Sequence, residues 1–399
     1  MKAFHYPFGL EEEFFLSCSE SGALLSDAAS SLLCRARAEM GDCVTSEMLR
    51  SQIEIASPVF THAEEALTGM MSLRARLAGI AAAQGMRLVS AGTHPLGVWH
   101  EQLAAEEPRY EQLLADFRIV GHRNLVCGLH VHVATPPSVD RVDVMNRVMR
   151  WLPLLLALST SSPFWNGRLT GLYSYRQALY DEWPRSGLPD FFDNDADYAA
   201  FADRMARAGA IGDASQLWWA IRPSNRFPTL ELRIADACTS VEEAVAIASL
   251  FRCLVAAVVR YPSLGGRRTT HTRRIIDENR WRAKRDSIDA HFIAEASSEV
   301  HGVPQILARA LDLTADEAEH LQCSDALLPL INVLQVGTSA HRQLKVYHDS
   351  RLLGLDQAQA LRQVVLWLEA ATLQLPPRRG SRADALSTAT SCVPGATRC

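Results

Sequence analysis

Within the run FGLEEEFFL (residues 8–16), Glu11, Glu12 and Glu13 stand between Phe8, Leu10, Phe14, Phe15 and Leu16. Side chains two residues apart on an extended chain share a face, so Glu11 and Glu13 point one way and Glu12 the other. The same asymmetry recurs. GLHVHV (128–133) sets His130 and His132 against Leu129, Val131 and Val133. SQIEIASPVF (51–60) sets Glu54 opposite Ile53 and Ile55, and TLELRIAD (229–236) sets Glu231 and Arg233 opposite Leu230, Leu232 and Ile234. Taken singly, each pattern has a plain structural reading: a packed or solvated HxH pair, a same-face surface ion pair, a solvated acidic edge. Together they predict one sheet face of carboxylates, imidazoles and a guanidinium, which would repel itself without cations. Hard carboxylate oxygens with one histidine suit Mg²⁺ or Mn²⁺ rather than structural zinc. Magnesium in such a setting commonly bridges phosphates, so the expected chemistry is nucleotide-dependent.

The elements that must position these residues read as follows. Strands are expected at 8–16, 51–60 (limited by Pro58), 86–95, 125–137 and 227–238, each rich in alternating apolar residues. Between them, 63–84 switches to helical spacing, with Leu67, Met70, Leu73, Leu77 and Ile80 in one stripe and Gly85 as a stop. Helices are also expected over 140–159 and 241–260. The stretch 161–189, rich in Gly, Pro, Trp and Tyr, reads as a long functional loop. From 272 to 375 the chain is mostly helical, and 376–399 reads as a disordered tail. Strict period-2 alternation favours antiparallel over buried parallel strands. The expected fold is therefore α+β, with a mainly antiparallel sheet in one domain over 1–375.

Composition narrows the class. The 399 residues carry 45 acidic and 40 basic side chains, a net charge of -5, so no global basic field points to nucleic acid. Lysine occurs only at 2, 284 and 345, and no P-loop GK[ST] exists. Nine cysteines without a C-x-x-C pair argue against a disulfide framework or zinc ribbon and for a reducing, cytoplasmic compartment. No secretory signal and no apolar run long enough to span a membrane are expected.

GLEEEF, SEMLRSQIEIASPV, AGTHP, GLHVHV, WWAIRPSNRFPTLELRIAD and the SPFWNGRLTGLYSYR…WPRSGLP loop resemble, in the same order, the bacterial carboxylate–amine ligases of the glutamate–cysteine ligase type 2 family. The resemblance spans roughly residues 5–375. It implies a glutamine synthetase-like fold, in which a curved antiparallel sheet holds ATP and divalent cations against an acidic wall. By position, it implies metal ligation by Glu11, Glu13, Glu47, Glu54, His130 and Glu231. Arg233 matches the arginine facing the transferred phosphoryl group, with Glu54 and Glu231 beside it in the catalytic set. His132 falls where related ligases can carry Asn. Glu47 lies seven residues before Glu54, so the two cannot share one strand face, and Glu47 is expected before the strand or beyond a bend. Arg222, Arg176, His94 and His132 are candidates for binding substrate, since guanidinium suits planar bidentate recognition of carboxylate or phosphate; bracing of loops is the alternative reading for Arg222, Arg176 and His94. Trp165, Trp183, Trp218 and Trp219 are candidate pocket walls, with core packing the expected role for most of them. The implied reaction transfers phosphate from ATP to an acid's carboxylate, and the amine then attacks the acyl phosphate. Glutamate and cysteine are the suspected pair, and the family suggests a homodimer.

Two rival readings follow from the same residues. A zinc hydrolase could use His130, His132 and a carboxylate, but would leave the other acids and Arg233 idle. A non-catalytic ligand-binding relative could keep the fold, although unpaired buried charge is costly to retain without use.

Overall fold

The computed structural model describes residues 4–266, 268–295 and 297–374. The tail expected at 376–399 lies outside the described residues. Strands β1 (Phe8–Cys18), β2 (Val44–Ser46), β3 (Gln52–Ala56), β4 (Met86–Val89) and β5 (Leu129–Ala134) come first in the chain. They are followed by β6 (Phe164–Trp165), β7 (Arg168–Leu169), β8 (Ile221–Pro223) and β9 (Thr229–Leu232). One sheet runs in the order β2-β3-β1-β5-β9-β8, with β4 pairing the far end of β1, and every pairing in it is antiparallel. β6 and β7 form a separate small hairpin.

The sheet has two unlike faces because the residues alternate. Phe8, Leu10, Phe14 and Leu16 of β1 join Ile53, Ile55, Leu129, Val131, Val133, Leu230 and Leu232 in the main core. Helices Ala63–Ala82, Arg141–Val148, Leu152–Ser159 and Val241–Arg260 pack onto that side. The 63–82 helix buries Met70, Leu73, Leu77 and Ile80, the stripe its spacing predicts. Val241–Arg260 is buried along nearly its whole length.

The opposite face is divided. Phe15, at the β4 end of β1, is covered by Leu361, Val364, Val365 and Leu368 of the Gln357–Thr372 helix in a second core. Glu11 and Glu13, four and two residues earlier on that face, lie in the uncovered half. The chain thus uses its C-terminal helices to close one half of the front and leaves the other open.

Several expectations change in detail. The 140–159 helix breaks at Met149–Trp151, where Pro153 in the first turn of the second segment cannot donate to an unbroken ladder. The 161–189 stretch holds the β6–β7 hairpin and a short helix, Tyr175–Tyr180. Strands β2 and β8, each three residues long, and helices Ala29–Met40, Pro108–Phe117 and Asp195–Arg207 were not expected from pattern. Among the described residues, no helix is long and apolar enough to cross a membrane.

Candidate active site

Strand register brings the chemical residues into one patch. Glu11 sits directly across from His130, Glu13 from Glu54, His132 from Glu231, and Glu231 from Arg222. Cross-strand partners share a face, so five strands contribute to a single acidic floor. Glu47 follows β2 in the turn before β3, and its carboxylate accepts from the Met48 amide at 3.2 Å. The floor lines a cavity of about 380 Å³ with Glu11, Glu13, Glu47, Glu54, His130, His132, Arg222, Glu231 and Arg233. Arg109, Tyr110, Trp183, Trp218, Asn225 and Phe227 complete its walls and rim.

The charges are unevenly balanced. Arg222 forks onto Glu231 at 2.8 and 3.0 Å, and Arg233 also donates to Glu231. Burial pushes the Glu231 carboxyl up, but the two guanidiniums outweigh it and hold it far below the usual carboxylate range. Burial likewise opposes ionisation of Glu11, while the neighbouring imidazoles of His130 and His132 draw its pKa well down. In the other three acids burial and crowding win, although the Arg176 and Arg233 charges act on Glu13 and the Arg233 and Arg109 charges on Glu47. Burial, then the Glu47 charge, raises Glu13 to about 8, and its firm partner is the Gly128 amide at 2.5 Å. Burial raises Glu47, and burial with the charges of Glu11, Glu47 and Glu13 raises Glu54 well above its ordinary value. Burial and the Arg233 charge lower His130 to about 4, so it is a neutral imidazole at physiological pH.

These residues fit a divalent cation. Single ligand atoms from Glu11, Glu54 and His130 lie within 4.8 Å of one another, as do those of Glu11, His132 and Glu231, and of Glu13, Glu47 and Glu54. Nε2 of His130 and of His132 is buried without a hydrogen-bond partner, His130 being only 3% exposed. A neutral imidazole nitrogen facing crowded carboxylates is a donor set seeking a metal. His130 and His132 fall in different groups, which leaves the two-histidine zinc site of the hydrolase reading without its geometry.

Two of the sequence-predicted substrate residues lie outside the cavity. His94 is buried in the covered half of the front face, where Nε2 meets Ser17 Oγ at 3.0 Å and the ring packs edge-on against Phe15. Arg176 is fully buried, donating to the carbonyls of Ala235 (2.9 Å) and Arg233 (3.3 Å) and stacking on Tyr180. A Cβ at Gly128 would collide with its guanidinium, so the glycine of GLHVHV makes room for this brace. Asp236 beneath it accepts from Ser161 N–H, Ser162 Oγ and Ser174 Oγ, which ties the 161–189 stretch to the end of β9. Trp183 and Trp218 line the cavity as expected, whereas Trp219 packs in the main core and Trp165 beside the second core. Arg109 and Tyr110 had no legible signal, because the 108–117 helix that carries them packs chiefly through Leu113 and Leu114.

The sequence profile of Glutamate-cysteine ligase family 2 matches residues 7–365. A protein of Bradyrhizobium diazoefficiens named "Putative glutamate--cysteine ligase 2" is 39% identical over 384 residues, covering 96% of this chain and 87% of that protein. One of the same name from Ectopseudomonas mendocina is 42% identical, covering 92% and 96%. Among solved structures, glutamate–cysteine ligase of Francisella tularensis in complex with AMP aligns with a TM-score of 0.65 at 12% identity, over 93% of each chain. A bifunctional glutathione synthetase from Pasteurella multocida aligns at 0.66 and 14% identity, over 92% of this chain and 52% of that one. At such identities the structural matches speak for the fold alone.

Proposed function

Because the chain belongs to glutamate–cysteine ligase family 2, we propose that it is an ATP-dependent carboxylate–amine ligase with glutamate–cysteine ligase activity. The observation that carries this reading is the convergence of Glu11, Glu13, Glu47, Glu54 and Glu231 on one cavity in which, among the described residues, only Glu231 is ion-paired to a guanidinium. The complex of the similar Francisella ligase with AMP supports an adenine nucleotide as co-substrate.

A carboxylate cannot acylate an amine directly, since its leaving group would be oxide. The γ-phosphoryl group of ATP passes to the acid's carboxylate, ADP leaves, and the amine attacks the acyl carbon and expels phosphate. Glu11, Glu13, Glu47, Glu54, His130 and Glu231 are the residues that would hold Mg²⁺ or Mn²⁺, which supplies charge neutralisation at the β- and γ-phosphates. Glu231 fixes Arg222 and Arg233, and Arg233 presents its remaining N–H groups to the cavity to stabilise the equatorial oxygens of the phosphoryl group. Arg222 also donates to the carbonyls of Ser215 (2.6 Å) and Leu217 (2.9 Å), so it anchors the 215–217 wall as well as Glu231. His132, fixed by Thr229 Oγ1 at 3.0 Å, faces Glu11 at the β5–β9 end. Arg176 and His94 act on this reading as buried braces outside the cavity. The acid and amine are small molecules, the catalytic unit comprises residues 1–375, and a cytoplasmic homodimer is the expected form.

The test is ADP release from the full chain with ATP, Mg²⁺ and a panel of acid–amine pairs. Release that requires both glutamate and cysteine supports the reading. Release with no pair in the panel, while the protein is folded, sinks it.

A further inference from the structure

The substrate must enter a cavity dominated by carboxylates, and its own charge is of the same sign. A glutamate-like acid brings a second carboxylate that is not phosphorylated and needs a cation in the wall. Two of the lining arginines are committed, since Arg222 and Arg233 both pair with Glu231. Arg226 rides on the exposed β8–β9 turn over the ring of Phe227.

Arg109 differs. Among the described residues its guanidinium has no hydrogen-bond or ion-pair partner; it borders the cavity over the Tyr110 ring, 6.0 Å away, and its charge reaches the carboxylates of Glu47 and Asp213 without pairing with either. It sits in the first turn of the Pro108–Phe117 helix, where the helix dipole disfavours a cation. Its backbone is nevertheless tightly placed. Ser46 Oγ donates to the Glu107 carboxylate, Tyr110 Oη donates to Ser46 O at 3.1 Å, and Ala105 N–H donates to Met48 O at 2.9 Å. Met48, Leu113, Leu114 and Trp183 pack below in their own apolar cluster. The segment presenting Arg109 is therefore stitched on both sides to the segment presenting Glu47. The Glu47 carboxylate feels the charges of both Arg233 and Arg109, and both arginines line the same cavity.

We propose that Arg109 is the specificity-determining residue for the acid substrate, receiving its unreacted carboxylate while the other carboxylate is presented to Arg233. This assignment rests on the ligase reading for its substrate and adds a residue and a selectivity to it. The planar fork suits a carboxylate held bidentately, and a dicarboxylic amino acid would be preferred to its α-amide.

Calorimetric titration tests this without turnover, using L-glutamate and L-isoglutamine, whose α-carboxylate is a neutral amide, on the wild type and on Arg109→Ala and Arg109→Lys. Wild type should bind glutamate about 10- to 100-fold more tightly than isoglutamine, the range for a charge-assisted pair. Arg109→Ala should lose that preference by weakening glutamate alone, and Arg109→Lys should fall between. Thermal midpoints of the variants should match the wild type, because Arg109 is exposed and holds no partner. Unchanged glutamate affinity in Arg109→Ala, equal weakening of both ligands, or a wild type that binds neither would overturn the assignment. ADP release by the wild type separates the two ideas: binding selectivity lost in Arg109→Ala with no release by the wild type refutes the ligase and leaves the carboxylate site standing.

Discussion

Glu12 and Glu13 are neighbours on one strand and both are buried, yet they live in opposite electrostatic worlds. Glu12, on the core face, receives a two-pronged pair from Arg74 at 2.6 and 2.8 Å. The same guanidinium also donates to the carbonyls of Thr239, Cys238 and Thr372. Glu13, on the front, has one backbone donor and a neutral imidazole 3.6 Å away. A buried charge that is neutralised and hydrogen-bonded on all sides is architecture. A buried carboxylate crowded by other carboxylates, with no guanidinium paired to it, is a demand for a ligand from solution. The two faces of the sheet therefore make opposite predictions under the same kind of substitution.

The largest effect belongs to the front. Glu54→Gln keeps the shape of the floor and removes a charge repelled by Glu11, Glu47 and Glu13. Turnover should fall by about a thousandfold or more, the scale of losing an electrostatic group at a phosphoryl-transfer site. The thermal midpoint should hold or rise. An active Glu54→Gln, or an inactive one that is also strongly destabilised, would erase the distinction between the faces.

Next comes the back. Arg74→Met strands the Glu12 carboxylate in the core, for which removal of one partner of a buried pair costs about 3–5 kcal/mol. Urea unfolding should show that loss. Folded Arg74→Met protein should retain turnover, because nothing of Arg74 reaches the cavity.

Cations sharpen the contrast on a smaller scale. Mg²⁺ or Mn²⁺ at a hundredfold excess over its dissociation constant should stabilise the wild type by about 2.7 kcal/mol, and Glu54→Gln much less. Without metal, pH should act with a definite sign. Glu13 titrates near 4.5 in the unfolded chain and near 8 in the fold. Between those values the native state holds the extra proton, so stability falls as pH rises, by at most about 1.4 kcal/mol per pH unit for one proton. Glu231 works the other way. Its lowered pKa adds stability above its unfolded value of 4.5 that is lost as pH falls below it. A metal-free chain whose thermal midpoint is flat from pH 5 to about 8, or rises, would contradict the raised carboxylates.

How far the sequence could carry this follows from which physics is local. Period-2 alternation is local, so the pairing of Glu11 with Glu13 against Glu12, the HxH pair and the E-x-R pair were all legible, as were the helices at 63–82 and 241–260. The acidic, mainly antiparallel sheet followed from them, and family resemblance supplied the nucleotide and the acyl phosphate. Strands β2 and β8 were too short to carry a period of their own and exist because β3 and β9 offer them edges. His94 and Arg176 looked like ligands because motif position cannot reveal which half of a face a distant helix will cover. Phe15 is on the same face as Glu13, and only the arrival of the 357–372 helix decides that one is core and the other cavity. Arg109 was invisible for the same reason in reverse. Its meaning lies in having no partner, and partners are a property of the folded chain.

The smallest effect is also the one that most directly separates the two faces. If Glu12 is held only as half of a pair, replacing both members should be milder than removing one. In Glu12→Leu/Arg74→Met neither member of the pair is left charged, and Cys238 O keeps a donor in Ser90 Oγ at 2.9 Å. What is lost is the guanidinium's bonds to Thr239 O and Thr372 O, about 1–2 kcal/mol in all by the net worth of such bonds. The double variant should therefore regain at least about 1 kcal/mol over Arg74→Met in urea unfolding and keep wild-type turnover. A pairwise substitution on the front, Glu13→Leu with Glu54→Leu, has no such escape. It relieves repulsion and leaves the floor without its ligands, so the protein should stay folded and release no ADP. Stability recovered by pairwise removal on one face, and activity irrecoverable on the other, is the difference between charge that the chain satisfies itself and charge it holds for a substrate.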